Sequence, residues 1–425
     1  MTEQYRRRIL DDELDELLVS LPAIAIEGAK GVGKTRTASQ RAATVHALDD
    51  PGQLAIARGD PARLISASPP VLIDEWQRLP ETWDLVRRAV DDGAKPSQFL
   101  LTGSASPAGL GTHSGAGRIV NLRTRPLALA ERPPFTPTVS LAELLTGAKS
   151  NLTGDTPIRL EDYTREILTS GYPGFHGLSG RALATQLEGY ISRVADRDFP
   201  ELGQEVRNPM ALRRWMAAYA AATSTTTSFE TIRHATSDGL RAMPAKSTVI
   251  PYRDALQRLW VTDPLPGWLP TRNRLRRLVQ AEKHHLADPA LAAHLLGVDT
   301  DALLSGADHG PKVPRDGTLL GALFESLMAL SLRVYAQAAE ARVYHLRTKG
   351  GEHEVDLIVE RPNGRIVAFE VKLARTVQER DLRQLLWLRE EIGDDLLDAA
   401  VITTGPGAYR RADGLAVLPA ALLGP

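Results

Sequence analysis

Residues Gly28-Ala29-Lys30-Gly31-Val32-Gly33-Lys34-Thr35 fit the pattern G-x-x-x-x-G-K-[ST] with no mismatch. No other stretch restricts the fold as tightly. An apolar, strand-like run, Ala23 to Glu27, precedes it, and Thr35 to Ala47 reads as a helix after it. Gly28, Gly31 and Gly33 let the backbone curl until its N–H groups point inward at an anion, and the helix start adds the positive end of its dipole. In that arrangement Lys34 neutralises the β- and γ-phosphates of a nucleotide, and the Thr35 hydroxyl holds Mg²⁺.

A second constellation follows in Val71-Leu72-Ile73-Asp74-Glu75, an apolar run ending in two acids. That is the pattern of a buried parallel strand with functional residues at its carboxyl end. Asp74 is expected in the Mg²⁺ shell, and Glu75 is expected to polarise the attacking water. Gln98 to Ser104 reads as a third strand whose polar end, Thr102 or Ser104, can sense the γ-phosphate. Past the glycine-rich stretch 109–117, Arg118 is the candidate for a finger that stabilises transition-state charge, in its own subunit or the next. Arg6, Arg7 and Arg8 read as a solvated face.

Together the phosphate loop, the Leu72-Ile73-Asp74-Glu75 strand, the Leu101-Thr102-Gly103-Ser104 strand and the stretch from Gly117 to Leu127 resemble prokaryotic ATP-binding proteins of the AAA superfamily. More narrowly, they resemble the group that couples such an ATPase to a C-terminal domain of unknown function with a nuclease-like fold. The resemblance implies ATP as the nucleotide and a possible homo-oligomer formed through the ATPase domain. It divides the chain into an AAA-type P-loop domain (1–135), a helical lid and winged-helix-like region (136–310) and a nuclease-like domain (311–425).

In the middle region the order is several short helices and then two apolar strand-like pieces, around Leu259-Trp260-Val261 and Leu265 to Trp268. This is a winged-helix layout with residues 248–259 in the recognition position, although Arg253 and Arg258 are the only basic side chains there. Arg272, Arg274, Arg276, Arg277, Lys283, His284 and His285 form the most basic patch, able to track a phosphate backbone or to rim a solvated hairpin.

The last region opens with an amphipathic helix from Gly317 to Tyr335 that places Glu325 near its apolar side. Two alternating strands follow, Glu352 to Val359 and Ile366 to Lys372, around Pro362-Asn363-Gly364. Register decides whether their polar residues meet. A three-residue loop with Gly364 left-handed sets Asp356 against Glu370 and Glu354 against Lys372 on one face. Two acids and a lysine gathered this way form a divalent-cation site in which Lys372 orients or activates water.

The D…E-x-K order resembles the PD-(D/E)xK nuclease superfamily, with Val355 where that name has proline. By that resemblance Glu325, Asp356, Glu370 and Lys372 fall on active-site positions, with Asp356 and Glu370 binding Mg²⁺ or Mn²⁺. The fold expected is α/β throughout, and the function expected is ATP hydrolysis coupled to action on nucleic acid, DNA first, with cleavage by the last domain. The alternative is an ATP-driven switch whose last domain grips DNA or a protein without cutting.

A formal charge of −1 leaves any nucleic-acid surface local rather than global. The absence of cysteine excludes disulfides and thiolate metal sites. No run approaches the ~18 uninterrupted apolar residues of a membrane span, and the start is not a signal peptide. The expectation is therefore cytoplasmic, with no membrane partner.

Overall fold

The computed structural model describes residues 5–103, 116–204, 206–237, 243–270, 280–306, 313 and 317–425. Helix α1 (Leu10–Leu18) leads into a parallel sheet built from β1 (Ala23–Glu27), β2 (Thr44–Ala47), β3 (Val71–Asp74), β4 (Phe99–Gly103) and β5 (Val120–Arg123), in the order β2-β3-β4-β1-β5. β1, β3 and β4 are apolar on both faces and almost wholly buried, as strands between two helical layers must be. The helix after the phosphate loop, α2 (Lys34–Ser39), is shorter than its sequence suggests. It stops at Ser39, and the chain enters the edge strand β2 at Thr44 and Val45, whose β-branched side chains suit an extended backbone.

After this sheet the chain is helical, with α3 (Gly180–Arg193), α4 (Pro209–Ala221), α5 (Phe229–His234) and α6 (Lys246–Arg258). A hairpin follows, closed by antiparallel bridges Thr262↔Leu286 and Leu265↔Lys283. Its outgoing strand supplies β6 (Gly267–Trp268), which pairs with a strand of the last sheet rather than folding back on the helices. Ser104, Arg272, Arg274, Arg276 and Arg277 lie outside the described residues.

Helix α7 (Leu319–Ala338) has the length and apolar composition of a membrane span, but it is the central core helix of the second half. It lies against β7 (Arg342–Arg347), β8 (Glu354–Glu360) and β9 (Ile366–Val371). Helix α8 (Glu379–Ile392) then crosses to β10 (Leu396–Thr403), and β11 (Tyr409–Arg410) and β12 (Ala416–Pro419) complete the sheet. The strand order is β11-β12-β10-β9-β8-β7-β6, with β9, β10 and β12 parallel and β7, β8 and β9 antiparallel. Leu357, Val359, Val367 and Phe369 belong to the cluster under α7, whereas Ile358, Ile366 and Ala368 pack with Leu382, Leu385 and Leu388 of α8. A helix therefore covers each face.

The β8–β9 register is the one expected from a three-residue loop. Glu360 pairs with Ile366 and Leu357 with Phe369, and Gly364 takes φ +86°. The Arg361 amide donates to the Arg365 carbonyl and the Gly364 amide to the Arg361 carbonyl, which closes the turn.

Candidate functional site

The phosphate loop leaves the carboxyl end of β1 between two neighbours, β4 and β5. Gly28 is fixed by crowding, since a Cβ there would stand 2.3 Å from the Thr124 carbonyl oxygen, at φ +149°. Gly33 caps α2 in the left-handed region, at φ +97°. The Lys34 ammonium is folded onto its own loop, donating to the carbonyls of Gly28 and Ala29 at 2.9 Å each. Burial pushes its pKa down to about 8, against the opposing pull of Glu75 and Asp74.

Because Asp74 and Thr102 are paired across β3 and β4, their side chains meet. Asp74 Oδ1 accepts from the Thr35 hydroxyl at 2.8 Å and from the Thr102 hydroxyl. Glu75 follows in the left-handed region (φ +53°), which turns its carboxylate away from the strand direction. The Gln77 amide donates to it at 2.5 Å, and burial raises its pKa, against Lys34. A hydroxyl and a carboxylate in contact, next to a buried ammonium, are the hard oxygen donors that suit Mg²⁺. Of the expected nucleotide residues, Gly28, Gly31, Gly33, Lys34, Thr35, Asp74 and Glu75 come together, with Thr102 as the third-strand polar residue.

Arg118 does not join them. It precedes β5, whose first residue pairs with Ile24 near the amino end of β1, roughly 15 Å of strand from the loop. Its guanidinium is instead bound to Asp91 at 2.8 Å. Arg8 also departs from the solvated face expected of it. It is buried, donates to Glu131 at 2.8 and 3.2 Å and to the Val32 carbonyl at 3.1 Å, and so braces the phosphate loop from behind. Its partners lie 24 and 123 residues away, and nothing in its own stretch signals the role. Lys30, at the loop's crest, reaches Asp198 at 2.6 Å and Glu201 at 2.7 Å, tying the loop to the π-helical turn after α3.

Where the first sheet meets the second half, Asp263 accepts three arginines. Arg123 and Arg125, from the end of β5, each reach Oδ2 at 3.0 Å, and Arg333 of α7 reaches Oδ1 at 2.5 Å. Burial works against ionising Asp263, but the three guanidiniums outweigh it and hold the carboxyl far below the usual range. The junction borders a cleft of about 760 Å³ walled in part by Trp260, over which Arg123 lies at 4.1 Å.

Glu325 of α7, Glu354, Asp356 and Glu370 of the last sheet, and Lys372, which follows β9, do converge. Lys372 lies 2.8 Å from Glu370 and 3.7 Å from Asp356, and Asp356 Oδ2 accepts the Val371 amide at 2.9 Å. The residue the sequence placed elsewhere is Lys283. Rather than sitting on a basic patch, it is fully buried, with its ammonium 2.8 Å from Glu354, 3.0 Å from Glu325 and 3.4 Å from Asp356. Burial raises Glu325 to about 8, opposed by Lys283. Burial also acts to raise Asp356, but Lys283 and Lys372 prevail and hold it at about 2.

Among the described residues no group of three or more acidic or histidine side chains is disposed to hold a metal ion. At the Asp356–Glu370 pair expected to bind a divalent cation, the Lys283 ammonium lies 3.4 Å from Asp356 and the Lys372 ammonium 2.8 Å from Glu370. His284 and His285 are buried on separate partners, the Thr227 carbonyl and the Ser326 hydroxyl.

Three family models match the chain: an AAA domain over residues 20–132, a domain of unknown function (DUF8612) over 160–302 and a domain of unknown function (DUF4143) over 320–423. The chain is 26% identical over 423 residues to uncharacterized protein Rv2008c of Mycobacterium tuberculosis and equally to uncharacterized protein Mb2031c of Mycobacterium bovis. The matches cover 97% of this chain and 83% of each relative. Among solved structures, the Walker-type ATPase PABY2304 of Pyrococcus abyssi aligns with a TM-score of 0.41 and 16% identity, over 69% of this chain and 99% of that one. The phosphate loop, its paired Asp74 and the matching family model together make the N-terminal region an AAA-type P-loop domain.

Proposed function

We propose that this chain is an ATP-hydrolysing switch that acts on nucleic acid through its C-terminal domain. The observation that carries the reading is the convergence of Lys34, Thr35, Asp74, Glu75 and Thr102 at the carboxyl ends of three neighbouring strands. Lys34 leaves the loop carbonyls for the phosphates, Thr35 and Asp74 hold Mg²⁺, and Glu75 orients the attacking water. Mg²⁺ supplies charge neutralisation on the phosphate oxygens. Arg118, at the far end of its own sheet, serves a phosphate only on a neighbouring subunit, so a finger role for it requires an oligomer.

The helix, three antiparallel strands, helix and parallel strand of the second half support the nuclease-like reading of that domain, and with it nucleic acid, DNA first, as target. The winged-helix reading has support in α4, α5 and α6 followed by a hairpin. Lys283 favours gripping over cutting.

Purified protein with Mg²⁺ should hydrolyse ATP and bind DNA with an affinity that ATP changes, without cleaving it, and Asp356→Ala should leave hydrolysis intact. ATP-dependent cutting that Asp356→Ala abolishes would replace the switch with a nuclease. No hydrolysis by the wild type would remove both readings.

A proton-linkage measurement tests the pocket itself. Lys34 sits near pKa 8 while it is buried on the loop carbonyls, and a triphosphate favours its charged form. ATP binding should therefore take up about half a proton at pH 8 and most of one at pH 9, with affinity falling as pH rises above 8. Calorimetry in buffers of different ionisation enthalpy reads this directly, and buffer-independent heats at pH 9 would contradict it.

A further inference from the structure

Four acids line the C-terminal cluster, and three basic groups face them: Lys283, Lys372 and Arg347, the last at 2.5 Å from Glu354. Lys283 touches three of the acids at once, the way a bound cation would, and is fully buried. The Glu370 carboxyl is buried in the same cluster, its pKa pushed up by burial and by Asp356 beside it.

Lys283 comes neither from α7, which carries Glu325, nor from the strands that carry the other three acids. It is delivered by the hairpin, where Lys283 and Leu265 exchange backbone hydrogen bonds at 2.8 and 2.9 Å and the Asp263 amide donates to the His285 carbonyl at 2.8 Å. Asp263, on the opposite strand of the same hairpin, is the residue bound by Arg123 and Arg125 of the AAA-type domain.

We infer that Lys283 is an intramolecular counter-cation that fills the C-terminal acidic cluster and excludes a divalent cation from it, held there by a hairpin pinned to the AAA-type domain. This deepens the proposed switch and rests on reading the cluster as the operative site of the second half. Two positive charges cannot be added beside an ammonium already within 3.4 Å of the same oxygens without displacing it. Nor can the ammonium be removed cheaply, since it leaves buried carboxylates uncompensated.

The test compares Mn²⁺ binding to nucleotide-free wild type and Lys283→Met, by electron paramagnetic resonance and by the metal-dependent shift in melting temperature. Wild type should take up no Mn²⁺ that depends on Asp356. Lys283→Met should bind one Mn²⁺ at least about tenfold more tightly, with a matching rise in melting temperature. Adding Asp356→Asn should abolish that gain.

Wild-type uptake that Asp356→Asn removes would overturn the inference, and that titration decides even if Lys283→Met fails to fold. A folded Lys283→Met with no gain would also overturn it. If Lys283→Met takes up Mn²⁺ but cuts no DNA, the counter-cation role stands and only a cleaving role for the domain falls.

Discussion

Glu75→Gln is expected to lower kcat for ATP hydrolysis by about 10²–10⁴-fold, the range for loss of a group that accepts a proton in the transition state. ATP binding should stay close to that of the wild type, because Lys34, Thr35 and Asp74 keep their contacts. The signature is a protein that retains ATP through gel filtration, measured beside a single-turnover rate. Lys34→Ala should give the opposite pattern, losing binding first, since it removes the charge that meets the phosphates. A Glu75→Gln protein that hydrolyses ATP at the wild-type rate would show that Glu75 does not act on the water. Its strained left-handed backbone would then need another explanation.

Asp263→Ala is expected to be the most destabilising single change away from the nucleotide. It strands three guanidiniums, those of Arg123, Arg125 and Arg333, in a junction where their carboxylate partner is buried. Breaking one side of a buried ion pair costs about 3–5 kcal/mol, which for a chain of this size lowers the melting temperature by roughly 3–6 °C. The sign with pH follows from the depressed carboxyl. The contribution is complete above the unfolded value of about 3.9 and is lost only as pH falls below it. Arg7→Ala is the internal contrast: its partners Asp12 and Asp15 are exposed, and solvent-screened pairs of that kind add little to stability. Equal melting shifts for the two variants would refute this ranking.

The features legible in the sequence are those whose partners lie close along the chain or follow a strict period. The phosphate loop is one, since its eight residues carry both the chemistry and the backbone geometry. The β8–β9 register is another, because a single turn residue, Gly364, fixes which side chains face each other. Asp74 was legible as the polar end of an apolar run, and its meeting with Thr102 needed only that β3 and β4 be neighbours.

Lys283, Arg8 and Asp263 were not legible. Each looks like a surface charge in its own stretch, and its role comes from partners 24 to 140 residues away. Arg118 failed for a related reason: its stretch gave the residue type but not the end of the strand on which it would emerge. Sequence spacing carries no information on which charges a fold will enclose together, and burial turns an ordinary lysine into a counter-ion.

The hydrophobic cluster that runs from Ala29 and Val32 through Tyr163 and Trp215 to Leu327 and Phe369 has a thermodynamic consequence. Two apolar residues of the phosphate loop belong to the same packed body as the last sheet, while the rest of the first sheet keeps clusters of its own. Stability in such a chain is not divided where its sequence is. The end of the chain, Leu423–Gly424, is hydrogen-bonded as a strand to Val139–Ser140, so a cut near residue 310 would tear a cooperative unit rather than free a module. Free energy gained by ordering the loop around a ligand is shared with residues more than 300 positions downstream, and their exchange protection rises with it.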